Sequence, residues 1–274
     1  MLIHANIYGE YRYPGQAMLP VNDLGLIRGL GVFDYLRTYN RKPFRMDDYL
    51  ERLRSSADAL LLPLPNDTEI KFVVKELIRR SDYPGDIGIR LLITGGTTPD
   101  GISVTKPSFI VTAEKLFLPP ADVFLNGIKL ITFEFLRELP QVKTTNYLTA
   151  IRNVKLKEQQ NAYELLYHKN GNILETSRNN FFIFKENKLI TPKNNILFGI
   201  TRKVVLELAA GKYEIEEREI KTEEINDCTE AFITGTTKKI IPVVQVNDFI
   251  IGDGKPGANT VKIMRHFDDY VKGW

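Results

Sequence analysis

The chain has 274 residues, of which 43% are hydrophobic and 26% are charged, and its formal net charge is +3. These values are typical of a globular protein of one or two domains, and they give no indication of a nucleic-acid or membrane surface. Cys228 is the only cysteine, and the sequence shows neither signal-peptide features nor an apolar run long enough to span a membrane. We therefore expect a cytoplasmic protein without disulfides.

The first part of the sequence predicts a small α/β domain. Its predicted elements are short strands within 1–20, a hairpin strand over 35–39, helices over 45–62 and 66–85, and strands over 87–96 and 108–116. In the first helix Tyr49, Leu50 and Leu53 recur at helical spacing. The second helix has Asn66 or Asp67 as its predicted cap.

A segment with two prolines, residues 117–127, is the best candidate for a linker. We place a boundary near residue 120, between an N-terminal domain over 1–119 and a larger C-terminal α+β domain over 120–274. The second domain is predicted to contain strands over 128–136, 163–168, 172–176, 179–185 and 188–192, two or three strands within 230–252, and helices over 146–160, 199–211 and 258–273. Because strands and helices do not alternate regularly, the predicted class is α+β.

Several kinds of catalytic site have no support in the sequence. The three histidines lie far apart, and no HExxH, CxxC or GxSxG motif occurs, so we predict no metal site and no serine nucleophile elbow. The glycines of GLGVFD, residues 29–34, begin like a dinucleotide fingerprint. They lead into a predicted strand, so we interpret them as turn residues.

A lysine remains as the candidate catalytic residue. Lys143 lies in QVKTTNYL, at a predicted junction of strand and helix where its neighbours are uncharged. A lysine can form a Schiff base with a carbonyl, and its most demanding use is to hold pyridoxal phosphate. Such a site also needs an acid beside the pyridine nitrogen and backbone amides around the phosphate.

Four further features could meet these needs. They are Glu175 at the end of a predicted strand, the glycine turn of FGITR (198–202), the TGTT turn (234–237), and Arg52 on the first helix. Each feature alone is more often structural, as a solvated side chain or a polar turn.

Taken in order, the segments QVKTTNYL, ETSRNNFF, LITP, LFGITR and ITGTT resemble the class IV pyridoxal-phosphate enzymes. The opening segments RGLGVFDYLR and FRMDDYLERLRSSA resemble the same family. That family includes branched-chain aminotransferases, D-amino acid aminotransferases and aminodeoxychorismate lyases, and the resemblance to the first is closest. It implies the two-domain fold of the D-amino acid aminotransferase-like kind (fold type IV), a cofactor between the domains, and a homodimer.

The resemblance also implies roles for individual residues. Lys143 would bind the cofactor and carry the proton of the substrate α-carbon, Glu175 would pair with the pyridine nitrogen, and Tyr147 would bond the ring oxygen. The residues implied to hold the phosphate are Arg52, Ile200, Thr201, Thr236 and Thr237. Those implied to line the substrate side are Phe33, Arg37 and Arg90.

The chain departs from the family pattern at four residues and in one loop. Arg28 stands where branched-chain enzymes carry an aromatic residue from the partner chain, and Gly95 stands where D-amino acid enzymes carry a substrate-binding arginine. Asp34 replaces a glutamate, Lys238 replaces a small residue, and the loop before Leu197 is two residues shorter. None of these changes affects Lys143 or Glu175.

We expect an aminotransferase that moves amino groups between leucine, isoleucine or valine and 2-oxoglutarate. The alternatives are an aminodeoxychorismate lyase that releases pyruvate, a D-amino acid aminotransferase, and a protein that binds the cofactor without catalysis. The expected partners are an amino acid, a 2-oxo acid and a second copy of the chain, with no nucleic acid and no membrane.

Overall fold

The computed structural model describes residues 2–5 and 10–274. The chain divides into two compact units. Unit 1 contains Met1–Phe117, Val142–Asn146 and Trp274, and unit 2 contains Leu118–Gln141 and Tyr147–Gly273. The segment with Lys143 thus groups with unit 1, whereas the predicted boundary assigned it to the C-terminal domain. The boundary near residue 120 stays a prediction.

Unit 1 contains an antiparallel sheet and three α-helices within its described residues. The strands are β1 (Leu2–Ala5), β2 (Glu10–Arg12), β3 (Gly31–Tyr39), β4 (Lys42–Pro43), β5 (Ile87–Thr97) and β6 (Lys106–Lys115), paired in the order β2-β1-β6-β5-β3-β4. The helices are α1 (Leu24–Ile27), α2 (Met46–Ala59) and α3 (Asp67–Arg80), and Pro14–Gln16 form a 3-10 turn.

The two longer helices of unit 1 follow their sequence patterns. In α2 the predicted apolar positions Tyr49, Leu50 and Leu53 are buried. Helix α3 begins with a capping box, in which Asn66 accepts a hydrogen bond from the amide of Glu69 and the Glu69 side chain accepts one from the amide of Asn66. The cap is therefore Asn66 rather than Asp67.

Unit 2 contains a mixed sheet. Its strands are β7 (Ile128–Glu134), β8 (Glu164–Lys169), β9 (Asn172–Thr176), β10 (Asn180–Lys185), β11 (Lys188–Thr191), β12 (Glu214–Glu217), β13 (Ile220–Lys221), β14 (Glu230–Gly235), β15 (Lys239–Val246) and β16 (Phe249–Ile250). Its α-helices are α4 (Asp122–Asn126), α5 (Leu148–Arg152), α6 (Val154–Gln159), α7 (Ile200–Ala209) and α8 (Ala258–Lys272), and Thr222–Asn226 form a 3-10 helix.

Strand pairing in unit 2 forms a closed circuit. The path runs β10-β14-β15-β7-β8-β9, and β9 then pairs with β10 through Glu175 and Asn180. Strand β7 lies parallel to both β8 and β15, while the other pairs of the circuit are antiparallel. The predicted α+β class is confirmed.

Two parts of unit 2 differ from the prediction. The expected linker contains the short helix α4. The expected helix over 146–160 forms two helices that meet at Asn153, whose side-chain amide donates to the carbonyl of Thr149 at 2.8 Å. An asparagine that bonds the backbone in this way competes with helix continuation. None of the helices in the described part of the chain combines the length and hydrophobicity that a membrane-spanning segment needs.

A buried charged cluster surrounds Lys238, directly after the 234–237 turn. Its Nζ lies 3.9 Å from Glu164 and 5.1 Å from the ring centroid of Tyr163, and Lys157 and Arg178 also contact Glu164. Burial, aided by the charge of Arg178, lowers the pKa of Lys238 to about 7. Burial alone would raise the pKa of Glu164, but the surrounding cations lower it.

This cluster predicts a rise of stability with pH. Between pH 7 and 9 the unfolded chain keeps the proton of this lysine, while the folded chain increasingly releases it, so the folded state gains stability as the pH rises. Lys238→Met removes that gain, which amounts to at most about 1.4 kcal/mol per pH unit. Urea unfolding of both proteins at pH 7, 8 and 9 measures it. The exposed Lys193→Met is the control, and parallel pH profiles for wild type and Lys238→Met would contradict the assignment.

Candidate active site

Lys143 is fixed against the first residues of β3. The amide of Phe33 donates to the carbonyl of Lys143 at 2.9 Å, and the amide of Thr145 donates to the carbonyl of Gly31 at 3.0 Å. On its other side the amide of Lys143 donates to the hydroxyl of Ser56 on α2 at 3.1 Å. These bonds hold the backbone at 143, although the segment is neither helix nor regular strand, and they leave the side chain free to point elsewhere.

The Lys143 side chain lies over the predicted substrate residue Phe33, with Nζ 4.6 Å from the ring centroid. Arg90 lies over the same ring at 5.5 Å and over Tyr35 at 5.0 Å. Phe33 and Tyr35 are alternate residues of β3, so they point to one face of the sheet, and Arg90 is the β5 residue opposite Tyr35. The structure thus brings Lys143, Phe33 and Arg90 together.

Arg37 continues the same face of β3. It is buried, and its guanidinium lies 4.2 Å from the ring centroid of Tyr39. Its Nη1 has no hydrogen-bond partner among the described residues. A buried donor without a partner is costly, so this atom is a candidate to bind an anion.

Asp34, which departs from the family pattern, forms an ion pair with Arg52. The Arg52 guanidinium donates to both carboxylate oxygens of Asp34, at 2.9 and 2.6 Å, and Asp34 is fully buried. The side chain of Asp34 is on the face of β3 opposite to Phe33. A two-bond pair of this kind fixes the plane of the guanidinium, so Asp34 orients the arginine predicted to bind the phosphate.

Glu175 lies at the end of β9 in unit 2, where it is held by three neighbours. Its Oε1 pairs with Arg137 at 2.5 Å, and its Oε2 accepts from the amide of Leu197 at 3.1 Å and the side-chain amide of Asn180 at 3.4 Å. The carboxylate is buried, and its two oxygens face a guanidinium and two amide groups. An ionised, oriented carboxylate is what a protonated pyridine nitrogen requires, and such a donor would most easily displace the longest contact, from Asn180.

Two loops predicted to hold phosphate flank a pair of asparagines. A Cβ at Gly199, which precedes α7, would lie 2.1 Å from the side chain of Asn180. A Cβ at Gly235, in the 234–237 turn, would lie 2.6 Å from that of Asn179. Both glycines are therefore required by close approach. The amides of Ile200 and Thr201 in the first turn of α7, and the turn with Thr236 and Thr237, are brought to one region of unit 2.

This region fits a phosphate group. The first amides of a helix attract anions, and the N-cap of α7 is a glycine, which has no side chain to bond them. The hydroxyl of Thr234, the first residue of the 234–237 turn, is buried and lacks a hydrogen-bond partner within the described residues. Unit 2 therefore offers both an acid and an anion cradle, and unit 1 offers the lysine. Tyr147, predicted to bond the ring oxygen, is the half-buried N-cap of α5.

Sequence reasoning missed three residues that hold predicted site residues, two in unit 2 and one in unit 1. Arg137 and Asn180 hold Glu175, and Glu114 pairs with Arg90 through both oxygens, at 3.0 and 3.2 Å. Arg137 and Glu114 are distant in sequence from the residues they hold, and Asn180 is a polar residue at the start of β10. The sequence could have indicated them only by the need for an opposite charge, because a buried or half-buried ion requires a partner.

Comparison with known proteins identifies the family of the chain. The family model described as amino-transferase class IV matches residues 31–246. The chain is 31% identical to a provisionally named branched-chain-amino-acid aminotransferase of Methanocaldococcus jannaschii, over 100% of this chain and 98% of that protein. It is 29% identical to a D-alanine aminotransferase of Staphylococcus haemolyticus, over 97% of each chain.

The fold is also that of a solved aminotransferase. The branched-chain amino acid aminotransferase of Escherichia coli superposes with a TM-score of 0.92 at 26% identity, covering 99% of this chain and 95% of that chain. A hypothetical aminotransferase from Mycobacterium tuberculosis, solved in its PLP-bound form, shares the fold with a TM-score of 0.86 at 21% identity. The predicted fold type is confirmed.

The match covers most of the chain, and it includes Lys143, Glu175, the α7 turn and the 234–237 turn. Enzymes of this class use pyridoxal phosphate and act on amino acids and 2-oxo acids. The chain therefore belongs to the class IV aminotransferase family of pyridoxal-phosphate-dependent enzymes.

Proposed function

We propose that this enzyme transfers the amino group between a branched-chain L-amino acid and 2-oxoglutarate. The observation that carries the proposal is the face of unit 1 on which Lys143 and Arg90 both lie over Phe33. The aromatic ring suits an apolar side chain, and the guanidinium suits the second carboxylate of 2-oxoglutarate. The relatives from M. jannaschii and E. coli, both named as branched-chain enzymes, support the same substrates.

The proposed roles are those that the resemblance to the class IV family implies. When bound, pyridoxal phosphate supplies an electron sink for negative charge at the substrate α-carbon. Lys143 binds the cofactor covalently and carries the proton to and from that carbon. Glu175 holds a proton on the ring nitrogen, and Tyr147 donates to the ring oxygen. The phosphate is held by Arg52, Ile200, Thr201, Thr236 and Thr237.

D-alanine is the second candidate substrate, because several similar proteins are named D-alanine aminotransferases. The packing at Gly95 opposes it. A Cβ at this position would lie 2.9 Å from the side chain of Leu24 and 2.8 Å from that of Leu30, so these two leucines fill the space that the arginine of D-amino acid enzymes would need.

The lyase alternative depends on Arg28 as a free cation. Arg28 donates instead to the carbonyls of Gly101 and Ile27, at 3.1 and 3.0 Å. These contacts give it a structural role at the surface of unit 1, which weakens the case for an anionic substrate such as aminodeoxychorismate.

A homodimer is proposed from an apolar surface of unit 2. Leu148, Ile151 and Val154, on α5 and at the start of α6, are 61%, 66% and 41% exposed. They form the apolar side of the segment that the sequence predicted as one helix. Adjacent large apolar side chains at a surface indicate a protein interface, and a second copy of the chain is the partner we propose.

A competition assay tests the substrate. With one enzyme preparation, leucine, D-alanine and aminodeoxychorismate are offered separately and together, with 2-oxoglutarate as the acceptor for the two amino acids. We expect the keto acid of leucine to form fastest, because the Phe33 ring is apolar and no arginine stands at position 95. Pyruvate from D-alanine at a higher rate would favour the D-amino acid enzyme, and pyruvate with an aromatic amine would favour the lyase.

Glu175→Gln tests the proton on the ring nitrogen. We expect the variant to keep the cofactor bound to Lys143 but to lose roughly three or more powers of ten in transamination rate, because a neutral amide does not retain that proton. Borohydride reduction followed by peptide mapping locates the cofactor, and single-turnover absorbance gives the rate. The exposed Glu134→Gln is the control. Turnover near wild type in Glu175→Gln, or a label on another lysine, would exclude these roles.

Ile151→Glu tests the dimer. A charge in the centre of the apolar surface should convert a dimer to a monomer in sedimentation or light scattering, since burying it without a partner is unfavourable. Lys155→Glu, at an exposed position of α6, changes charge without removing apolar area and should leave the mass unchanged. A wild-type monomer, or a dimer that survives Ile151→Glu, would argue against this interface.

A further inference from the structure

We propose that Glu114 is a specificity-determining residue, which takes the place of a substrate carboxylate on Arg90 whenever the substrate side chain is apolar. The proposal rests on the proposed function, because it assigns a role to the charges that face the substrate side chain. It concerns residues of unit 1 alone.

The contact between the two residues resembles the binding of a carboxylate ligand. Glu114 Oε1 accepts from Arg90 Nε at 3.0 Å, and Oε2 accepts from Nη2 at 3.2 Å. One edge of the guanidinium is thus filled by two oxygens, as it would be by the second carboxylate of 2-oxoglutarate. Thr112 donates to Oε1 at 2.5 Å and holds the carboxylate in this position.

The strand register explains the placement of the pair. Arg90 on β5 lies opposite Thr112 on β6, and Glu114 is the next residue of β6 on the same face. Glu114 therefore reaches Arg90 diagonally, and it does so without any change of the backbone. Its carboxylate can leave the guanidinium by side-chain rotation alone.

The surroundings of Arg90 explain how its pairing with Glu114 affects the choice of substrate. The guanidinium packs over the rings of Phe33 and Tyr35, so it is partly shielded from water. An unpaired cation next to a leucine side chain is unfavourable in such a place, and Glu114 removes that penalty. A dicarboxylate must displace Glu114 from the same edge and is repelled by its charge. Glu114 thus favours apolar side chains and weakens the binding of dicarboxylates.

Binding of two unreactive acids to the cofactor-loaded enzyme tests this role. Glutarate represents the dicarboxylic substrate, and 4-methylpentanoate represents the branched-chain substrate. In Glu114→Gln we expect the Kd of glutarate to fall by about tenfold, the change expected for releasing one charge-assisted contact. The Kd of 4-methylpentanoate should stay within about twofold or rise. Calorimetry or the cofactor absorbance reports both values.

Two further variants complete the experiment. Thr112→Val frees the Glu114 carboxylate without removing its charge, so it should shift the ratio of the two Kd values in the same direction by a smaller factor. Glu134→Gln removes an exposed charge in unit 2 and should shift neither. An unchanged ratio in Glu114→Gln and Thr112→Val, or an equal change for both acids, overturns the proposal. If Glu114→Gln does not fold, the ratio in Thr112→Val decides.

The outcome is separate from that of the substrate assay, because binding of these acids requires no turnover. A shifted ratio combined with failure of leucine as a substrate would leave the role of Glu114 standing and would remove the branched-chain assignment. An unshifted ratio combined with active leucine turnover would remove the role of Glu114 and would leave the branched-chain assignment standing.

Discussion

The side chain of Asn180 holds unit 2 together at the point where its strands close into a circuit. One amide nitrogen contacts Glu175 across the β9–β10 pair and donates to the carbonyl of Leu197 at 2.7 Å, in the loop before α7. The same side chain occupies the space that a Cβ at Gly199 would need. Asn180 therefore positions both Glu175 and the start of α7, and it does so at the strand pair that closes the circuit.

Unit 1 fixes its lysine by a different means. The segment Val142–Asn146 is joined to β3 by backbone hydrogen bonds and to α2 through Ser56. Arg52 lies one helical turn before Ser56 on α2, and Asp34 on β3 holds its guanidinium. Helix α2 thus supports both the backbone at Lys143 and the arginine proposed for the phosphate. These supports act on the backbone of the segment and on Arg52. They therefore do not restrain the side chain of Lys143.

The sequence predicted the elements whose signals are local. Periodic apolar residues predicted α2, a cap at Asn66 or Asp67 predicted the start of α3, and the glycine turn predicted the start of α7. The order of short motifs predicted Lys143 and Glu175 as functional residues, and these roles stay predictions. The strands β12 and β13 were missed because they are short and carry no alternating apolar pattern.

What escaped prediction depends on contacts between distant positions. Arg137 and Glu175 are separated by 38 residues, and Arg90 and Glu114 by 24. The pairing of Arg90 with Glu114 follows from strand register, which a single sequence does not specify. The pairing of Arg137 with Glu175 depends on the path of the loop after β7. The division of the 146–160 helix depends on one side-chain bond at Asn153, which a periodicity of apolar residues does not reveal.

The packing at Gly95 constrains how this enzyme could acquire a different substrate, whether in evolution or by design. An arginine at this position needs space that Leu24 and Leu30 now fill. Smaller residues would first have to replace Leu24 and Leu30. Truncating a buried leucine such as Leu24 commonly destabilises a protein by about 2–5 kcal/mol. Because an arginine at this position could be accepted only after an unfavourable change, the order of the substitutions is fixed and the first one requires a stability reserve. The close approach of α1 to β5 is thus a packing contact that also restricts the order in which substitutions at this site can be accepted.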